Sequence, residues 1–343
     1  MGCLCSTPAV EIATPSAVIA PSAHVKPSSN EDELTLPDST LIWEPIVPLT
    51  ERAVHPLFLS AVCQLEVVLP DRGSVKLADL YTYEVVFHFI KKHTEDTQIS
   101  LVETLALMLL EDEETKAIMR PSSSSIPHSR PSSSSGRDSA SSLTDISISI
   151  RHNFQARSPK EALRNILEKY VTWAGGAKPF HGPTNYFLSH AWSYKLGDLR
   201  DMCKQHYETV SGSEYKYFPI FYWIDIFAVA QNFTGDFQKH PDGNFPAVIR
   251  VSEGVVFTIH PWKNAIAPSR IWCLFEAVTA VEFGVNLELL VESEFRNTKM
   301  SKQQLLNSLQ EAVSGLDVSK AKATVESDRE MIIGMVKKRE GGV

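Results

Sequence analysis

Apolar residues follow two different spacings along this chain after about residue 184. Short, nearly continuous apolar runs alternate with segments in which apolar residues recur every three or four positions. The first pattern predicts buried strands and the second predicts amphipathic helices. The predicted strands lie in NYFLSHAW, YFPIFYWIDIFAV, GVVFTI and NLELLV, and the helices lie in DLRDMCKQHYETV, AVIRV and SRIWCLFEAVTAVEFG. This alternation predicts an α/β fold, a parallel sheet flanked by helices on both faces.

The rest of the chain divides by composition into stretches of different character. Residues 1–40 are rich in Pro and Ser and lack apolar periodicity, which predicts a flexible stalk. Residues 41–119 are apolar again and are expected to be mostly helical, with two helices separated near Thr94–Gln98. Residues 120–150 form a serine-rich stretch that is expected to be disordered. Residues 151–343 are expected to hold the α/β domain, with a first helix at 157–173 and two C-terminal helices from about 301.

Composition limits the classes of partner. Of the 343 residues, 43% are hydrophobic and the formal net charge is −8, with no dense Lys/Arg run. We therefore expect no nucleic-acid partner. The five cysteines are odd in number and lack metal-ligand spacing, which indicates reduced thiols. The spacing of His181, His190, His240 and His260 gives no specific support for a metal site, and neither a metal nor a resident cofactor is expected.

The chain starts with MGCLCS, which matches the acceptor pattern for N-myristoylation at Gly2. Cys3 and Cys5 lie where a myristoylated chain is commonly palmitoylated, and the segment resembles the dually acylated N-termini of some membrane-tethered signalling kinases. One acyl chain binds a membrane marginally and a second makes the anchor stable. We therefore expect the protein at the cytoplasmic face of a membrane, held there by acyl chains.

Polar residues cluster at the ends of the predicted strands. FLSHAW, WIDIFAVAQN and FTIHPW place Ser, His, Asp, Gln and Trp where parallel sheets bind ligands. The glycine-rich loops of dinucleotide-binding folds and of P-loop NTPases are absent from the sequence, and Ser189 is not in a nucleophile elbow. A thiol enzyme using Cys273 and His190 stays open, because a helix N-terminus lowers a thiol pKa.

A carboxylate, Glu276, interrupts the apolar helix SRIWCLFEAVTAVEFG. Ser269 is the expected N-cap of this helix, which puts the capping-box position at residue 272 rather than at Glu276. Glu276 shares a helix face with Trp272. Three explanations stay open: an ion pair with Arg270 or Arg200, a side chain that reaches solvent, or a functional carboxylate with a raised pKa.

Three motifs in order carry a family resemblance. SRIWCLFE resembles a motif of Toll/interleukin-1 receptor (TIR) domains, and FLSHAW resembles the first strand of the same family. YWIDIFAVAQN resembles a segment of the TIR-like fungal heterokaryon-incompatibility (HET) domains. The resemblance covers about residues 184–291. The chain departs from the family after WIDIFAVAQ, where the TIR loop that usually mediates self-association is not matched.

The resemblance implies a flavodoxin-like sheet and, in NAD-cleaving members, a catalytic glutamate at the position of Glu276. It implies that the nucleotide pocket is lined by the residues Ser189, His190, Trp192, Asp225 and Trp262. Many TIR domains are adaptors without enzymatic activity. Two functions therefore stay open: a membrane-anchored signalling enzyme that cleaves NAD or a related nucleotide as its substrate, and a non-catalytic scaffold or structural membrane-associated protein that self-associates through this domain.

The acylation pattern yields a test that is independent of the α/β domain. Gly2→Ala removes the acceptor of the first acyl chain, so the variant should move from the membrane fraction to the soluble fraction of cells that express it. Fractionation followed by immunoblotting measures the shift. A Gly2→Ala protein that stays with the membranes would exclude myristoylation as the anchor.

Overall fold

The structure is a computed structural model that describes residues 45–111, 159–176, 178–212, 219–233 and 240–291, with short pieces at 303–304, 307, 321–323 and 329–334. Gly2, Cys3 and Cys5, the predicted stalk, the serine-rich stretch and most of the predicted C-terminal helices lie outside the described residues. No helix in the described ranges combines the length and the apolar character needed to cross a membrane.

The described elements alternate between strands and helices in the second half of the chain. The strands are β1 (Ala53–Val54), β2 (Glu66–Leu69), β3 (Gly73–Lys76), β4 (His181–Gly182), β5 (Tyr186–Ser189), β6 (Tyr222–Trp223), β7 (Gly254–Ile259) and β8 (Asn286–Val291). The helices are α1 (Pro56–Cys63), α2 (Thr82–Val85), α3 (Lys91–His93), α4 (Leu101–Glu111), α5 (Pro159–Ala174), α6 (Leu196–Val210), α7 (Asp225–Ala228), α8 (Phe245–Val251) and α9 (Ile271–Glu282). A π-helical segment, Val86–Ile90, joins α2 to α3.

Six strands form one mostly parallel sheet in the order β4-β1-β6-β5-β7-β8. The strands β6, β5, β7 and β8 run parallel to one another, and β1 is antiparallel to both β4 and β6. β2 and β3 form a separate hairpin. The predicted α/β class, with a parallel sheet flanked by helices, is confirmed at this level.

Both faces of the sheet are covered, as the continuous apolar strands predict. Leu188 and Val256 pack in one core with residues of α1, α5 and α6. Phe187 and Val255 point to the other face, where they pack with residues of α8 and α9. Neighbouring residues of a strand alternate between faces, so Ser189 shares the face of Phe187 and points towards α9.

The longest predicted strand is much shorter in the structure. Within the described part of this run, residues 219–229, the strand is the two-residue β6, and the chain turns into α7 at Asp225. The Asp225 carboxylate accepts a hydrogen bond from the Ile226 amide at 2.7 Å, which supports a helical turn there. The prediction of a long strand was wrong because an apolar run does not distinguish a buried strand from a buried helix.

Residues 45–111 share the sheet and the core with the later part of the chain. β1 lies between β4 and β6, and one continuous apolar cluster extends from Val54 to Leu290. The helical character expected for this region appears in α1, α2, α3 and α4. Its first strand is nevertheless internal to the sheet, so this region completes the fold rather than preceding it.

A buried arginine holds the two regions together. Arg52 is 1% exposed, and its guanidinium lies 2.9 Å from Glu103 Oε1 and 2.8 Å from Asp242 Oδ1. It also donates hydrogen bonds to the carbonyls of Val47 and Ala228 at 2.8 and 2.9 Å. A buried charge is tolerated when such partners replace its hydration. The network joins β1 to α4, to α7 and to the turn that contains Asp242.

Because of this network, substitution of Arg52 should destabilise the fold more than substitution of a surface arginine. Arg52→Met removes one charge and leaves two buried carboxylates unpaired, which should lower the free energy of unfolding by about 3–5 kcal/mol. Denaturant titration measures this change in the free energy of unfolding. Arg72→Met is the matched control, because exposed Arg72 pairs with Glu84 near the surface and its loss should cost far less than the loss of Arg52. Equal losses in the two variants would contradict the assignment.

Candidate functional site

The candidate site lies at the carboxyl ends of β5 and β7. The strand that follows β5 in sequence, β6, lies on one side of this pair, and the strand that follows β7, β8, lies on the other. The chain therefore leaves the two adjacent strands in opposite directions. Such a point in an open parallel sheet leaves a crevice beyond the strand ends, where ligands bind.

Ser189 and Glu276 meet at this edge of the sheet. Ser189 is the last residue of β5, and its hydroxyl donates to Glu276 Oε2 at 2.5 Å. Glu276 projects from the middle of α9 between the buried residues Cys273 and Ala280, and only 6% of it is exposed. The backbone on the other side of Ser189 is fixed as well, because Thr258 Oγ1 donates to the Ser189 carbonyl at 2.8 Å.

The environment of Glu276 favours its uncharged form. Burial raises the pKa of this carboxyl to about 8; the Ser189 hydroxyl opposes the rise and the nearby Asp225 charge adds to it. A carboxyl with this pKa is mostly protonated at neutral pH. Any positive charge brought into the crevice would stabilise the carboxylate and release the proton.

Asp225, Trp192 and His190 form the outer part of the site. Asp225 follows β6, and its Oδ2 accepts a hydrogen bond from the Trp192 indole nitrogen at 2.7 Å. His190 Nε2 is 3.8 Å from Asp225 Oδ1, and this buried nitrogen makes no hydrogen bond to any described residue. Asp225 and Trp192 are half-buried, so solvent reaches this part of the candidate site.

Contacts join most of the site residues that the resemblance implies. Hydrogen bonds link Ser189 to Glu276 and Trp192 to Asp225, with His190 beside Asp225. The remaining residue, Trp262, is half-buried in the turn Trp262–Asn264 that follows β7.

The expected N-cap of α9 was wrong by one residue. Ser269 ends the preceding 3-10 turn, and its hydroxyl donates to the Ile266 carbonyl at 2.7 Å. Arg270 occupies the cap position without a side-chain cap. The 3-10 turn uses the Ser269 hydroxyl, and the helix therefore starts at Ile271.

The structure tests two of the explanations left open for Glu276. The residue is 6% exposed, so its side chain does not reach solvent. Its hydrogen-bond partner among the described residues is Ser189, while the Arg200 guanidinium holds Asp201 at 2.8 and 2.9 Å. The ion-pair explanation with Arg200 is therefore wrong. Glu276 is a buried, hydrogen-bonded carboxyl that faces the end of β5.

The thiol alternative is also wrong. Burial and the neighbouring Glu276 raise the pKa of the Cys273 thiol well above its ordinary value. Its sulfur donates to the backbone carbonyl of His190 at 3.3 Å. Burial outweighs the helix N-terminus here, and a neutral, buried thiol is a poor nucleophile.

Histidine partners lie in separate parts of the fold. His181 contacts the Glu51 carbonyl, His240 lies beside Asp242, and His260 is 3.4 Å from Asp198. No group of three or more His, Cys, Asp or Glu side chains in the described ranges has a geometry that could hold a metal ion.

Sequence reasoning missed one residue that organises the site. The buried Tyr194 hydroxyl lies 3.3 Å from both the Thr258 carbonyl and the His260 amide, and 3.4 Å from the Ala267 amide. It ties the loop after β5 to the end of β7 and to the turn before α9. An aromatic residue only two positions beyond the quoted FLSHAW motif was the available signal.

Comparisons with models of protein families, with curated protein sequences and with solved structures gave no match to this chain.

The Glu276 environment predicts an unusual pH dependence of stability. Between pH 4.5 and about 8 the folded protein holds a proton that the unfolded chain releases, so this group favours folding less as pH rises. Glu276→Gln imitates the protonated form. The variant should match the wild type near pH 5 and become more stable than it towards pH 8, by up to about 1.4 kcal/mol per pH unit.

Denaturant titrations at several pH values measure this difference. Glu282→Gln is the matched control, because Glu282 is exposed in the last turn of the same helix. Parallel stability curves for wild type and Glu276→Gln would show that the carboxyl titrates in its ordinary range.

Proposed function

We propose that this chain is a membrane-anchored, TIR-like signalling protein whose α/β domain cleaves NAD at the nicotinamide–ribose bond, with Glu276 as the catalytic carboxyl. The observation that carries the proposal is the buried Ser189–Glu276 pair at the carboxyl ends of adjacent parallel strands. The acyl groups at Gly2, Cys3 and Cys5 would concentrate the domain at the cytoplasmic face of a membrane and favour its self-association.

The strand order supports the flavodoxin-like expectation. Numbered in chain order, the four parallel strands lie side by side as second, first, third and fourth. Flavodoxin-like sheets share this order, and they bind their ligand between the first and third strands. In this chain those strands are β5 and β7, so the proposed NAD site coincides with the crevice around Ser189.

The chemistry of NAD cleavage fits a buried carboxyl. The bond between the ribose C1′ and the nicotinamide nitrogen breaks, the electron pair neutralises the cationic ring, and water adds to C1′ with loss of a proton. The products are nicotinamide and ADP-ribose. Positive charge develops on the ribose in the transition state, and an adjacent carboxylate stabilises it more strongly in a buried site than in water.

The same charge would ionise Glu276 when it is needed. The nicotinamide ring of NAD is cationic, so its arrival beside Glu276 favours the carboxylate and lowers the pKa from about 8. Ser189 then holds the carboxylate in place through its hydroxyl. In this proposal His190 Nε2, which makes no hydrogen bond to a described residue, and the Asp225 carboxylate would bind ribose hydroxyls.

The burial of Glu276 favours a second function, that of a non-catalytic scaffold. Glu276 is 6% exposed, and its hydrogen bond to Ser189 already joins α9 to β5. A carboxyl that only makes this link would leave the domain as a non-catalytic, self-associating scaffold at the membrane. The two functions differ in nicotinamide release, which the scaffold lacks.

The decisive experiment uses the full chain on liposomes, because residues 45–111 contribute β1 and Arg52 to the fold. Wild-type protein should release nicotinamide from NAD, with kcat/KM rising from pH 6, reaching half its maximum near pH 8 and levelling only above that pH, as Glu276 ionises. Glu276→Gln should lose at least about 100-fold in kcat, whereas Glu282→Gln should keep full activity.

Three results would each contradict a part of the enzyme proposal. Clustered wild-type protein that releases no nicotinamide supports the scaffold. Release that persists in Glu276→Gln moves the catalytic group away from α9. A wild-type kcat/KM that does not change with pH above pH 6 would show that ionisation of Glu276 does not control the rate.

A further inference from the structure

We infer that the exposed pair Tyr81 and Tyr83 is a stacking platform for the adenine base of the bound nucleotide. The inference rests on the proposed function, since it assigns the part of NAD that lies away from the bond that breaks. It also extends the site beyond residues 184–291, where the family resemblance is found.

Residues 81–93 border the carboxyl edge of the sheet. At one end, the Thr82 hydroxyl and the Tyr83 amide both donate to the Trp192 carbonyl, at 2.8 and 3.1 Å. At the other end, the Asn232 side chain donates to the Lys91 carbonyl at 2.9 Å. Trp192 follows β5 and Asn232 follows α7, so this helical segment forms a wall beside the candidate site.

The two tyrosine rings form a parallel stack at the start of this wall. Their planes differ by 9°, their centroids are 5.6 Å apart, and each residue is 40% exposed. An offset stack of this kind leaves ring surface open to a further planar group. Glu84 holds the backbone beneath the rings, because its carboxylate accepts from the Tyr81 amide at 3.0 Å and pairs with Arg72. The platform is thus fixed before a ligand arrives.

Exposure distinguishes this pair from other tyrosines of the fold. Tyr170, Tyr194 and Tyr222 are buried, and their hydroxyls are hydrogen-bonded. Open aromatic rings beside a nucleotide site suit a base, because a base stacks on an aromatic face through its whole π surface.

Trp192 connects the platform to the reacting end of the site. Its carbonyl accepts from Thr82 and Tyr83, and its indole nitrogen donates to Asp225 at 2.7 Å. A dinucleotide whose ribose reaches Asp225 would therefore pass along Trp192 towards the tyrosines. This continuity favours adenine over a protein or lipid group as the occupant.

Calorimetric titration of the full chain with AMP, and with ribose 5-phosphate as the base-free probe, tests the platform. Tyr83→Leu and Tyr81→Leu should each weaken AMP binding roughly 5- to 100-fold, the range that loss of one base stack gives. Tyr83→Phe keeps the ring and should bind AMP within about 2-fold of wild type. Ribose 5-phosphate binding should not change in any variant.

Trp173→Leu is the matched control, because Trp173 is 44% exposed but lies on α5. It should bind AMP like the wild type. The inference is overturned if wild-type protein does not bind AMP, if both leucine variants keep wild-type affinity, or if ribose 5-phosphate binding falls with AMP binding. Thermal unfolding of each variant confirms that these surface substitutions leave the fold intact.

Comparing NAD with nicotinamide mononucleotide, which lacks adenine, separates this inference from the proposed function. Tyr83→Leu should raise KM for NAD and leave KM for nicotinamide mononucleotide unchanged. Cleavage of NAD with a KM insensitive to Tyr81 and Tyr83 would overturn the platform and leave the enzyme proposal standing. Tyrosine-dependent AMP binding without nicotinamide release would do the reverse.

Discussion

Burial of the Arg52 charge is the constraint on which the rest of the structure depends. A guanidinium inside the fold requires partners on all sides, and it finds Glu103 on α4, Asp242 before α8 and the Ala228 carbonyl at the end of α7. Each partner comes from a different segment. The fold cannot satisfy the arginine without bringing these segments to one place.

The candidate site is built on that arrangement. α7 is a single helical turn, so anchoring its last carbonyl to Arg52 also fixes its first residue, Asp225. Asp225 in turn orients Trp192 and faces His190. At Glu276 the same physical problem is solved differently, because burial raises the pKa of the carboxyl to about 8 and the charge is removed rather than paired.

Local sequence patterns predicted the helices and strands that are long enough to show a regular spacing of apolar residues. The helical spacing in SRIWCLFEAVTAVEFG corresponds to α9, and the apolar runs around Phe187, Val255 and Leu290 correspond to β5, β7 and β8. The convergence of polar residues at strand ends predicted a site there, and the structure joins Ser189, at the end of β5, to Glu276 of α9 by a hydrogen bond. β1 and β6 contain two residues each, too few for any periodicity, so their pairing could not be predicted. The Arg52 network joins residues far apart in the chain, although Glu103 within the apolar run LVETLALMLL was a visible signal of a buried partner.

The extent of the fold is therefore larger than the extent of the motifs. The three motifs span about residues 184–291, yet β1 completes the sheet and residues 81–93 line the edge where Ser189 and Asp225 lie. Motifs mark positions where a particular side chain is required by chemistry. The residues that enclose such a site are constrained mainly by packing and by backbone hydrogen bonds, which many sequences satisfy. A boundary drawn at the edge of the motifs would remove β1 from the sheet and the segment that holds Trp192 and Asn232 beside the strand ends.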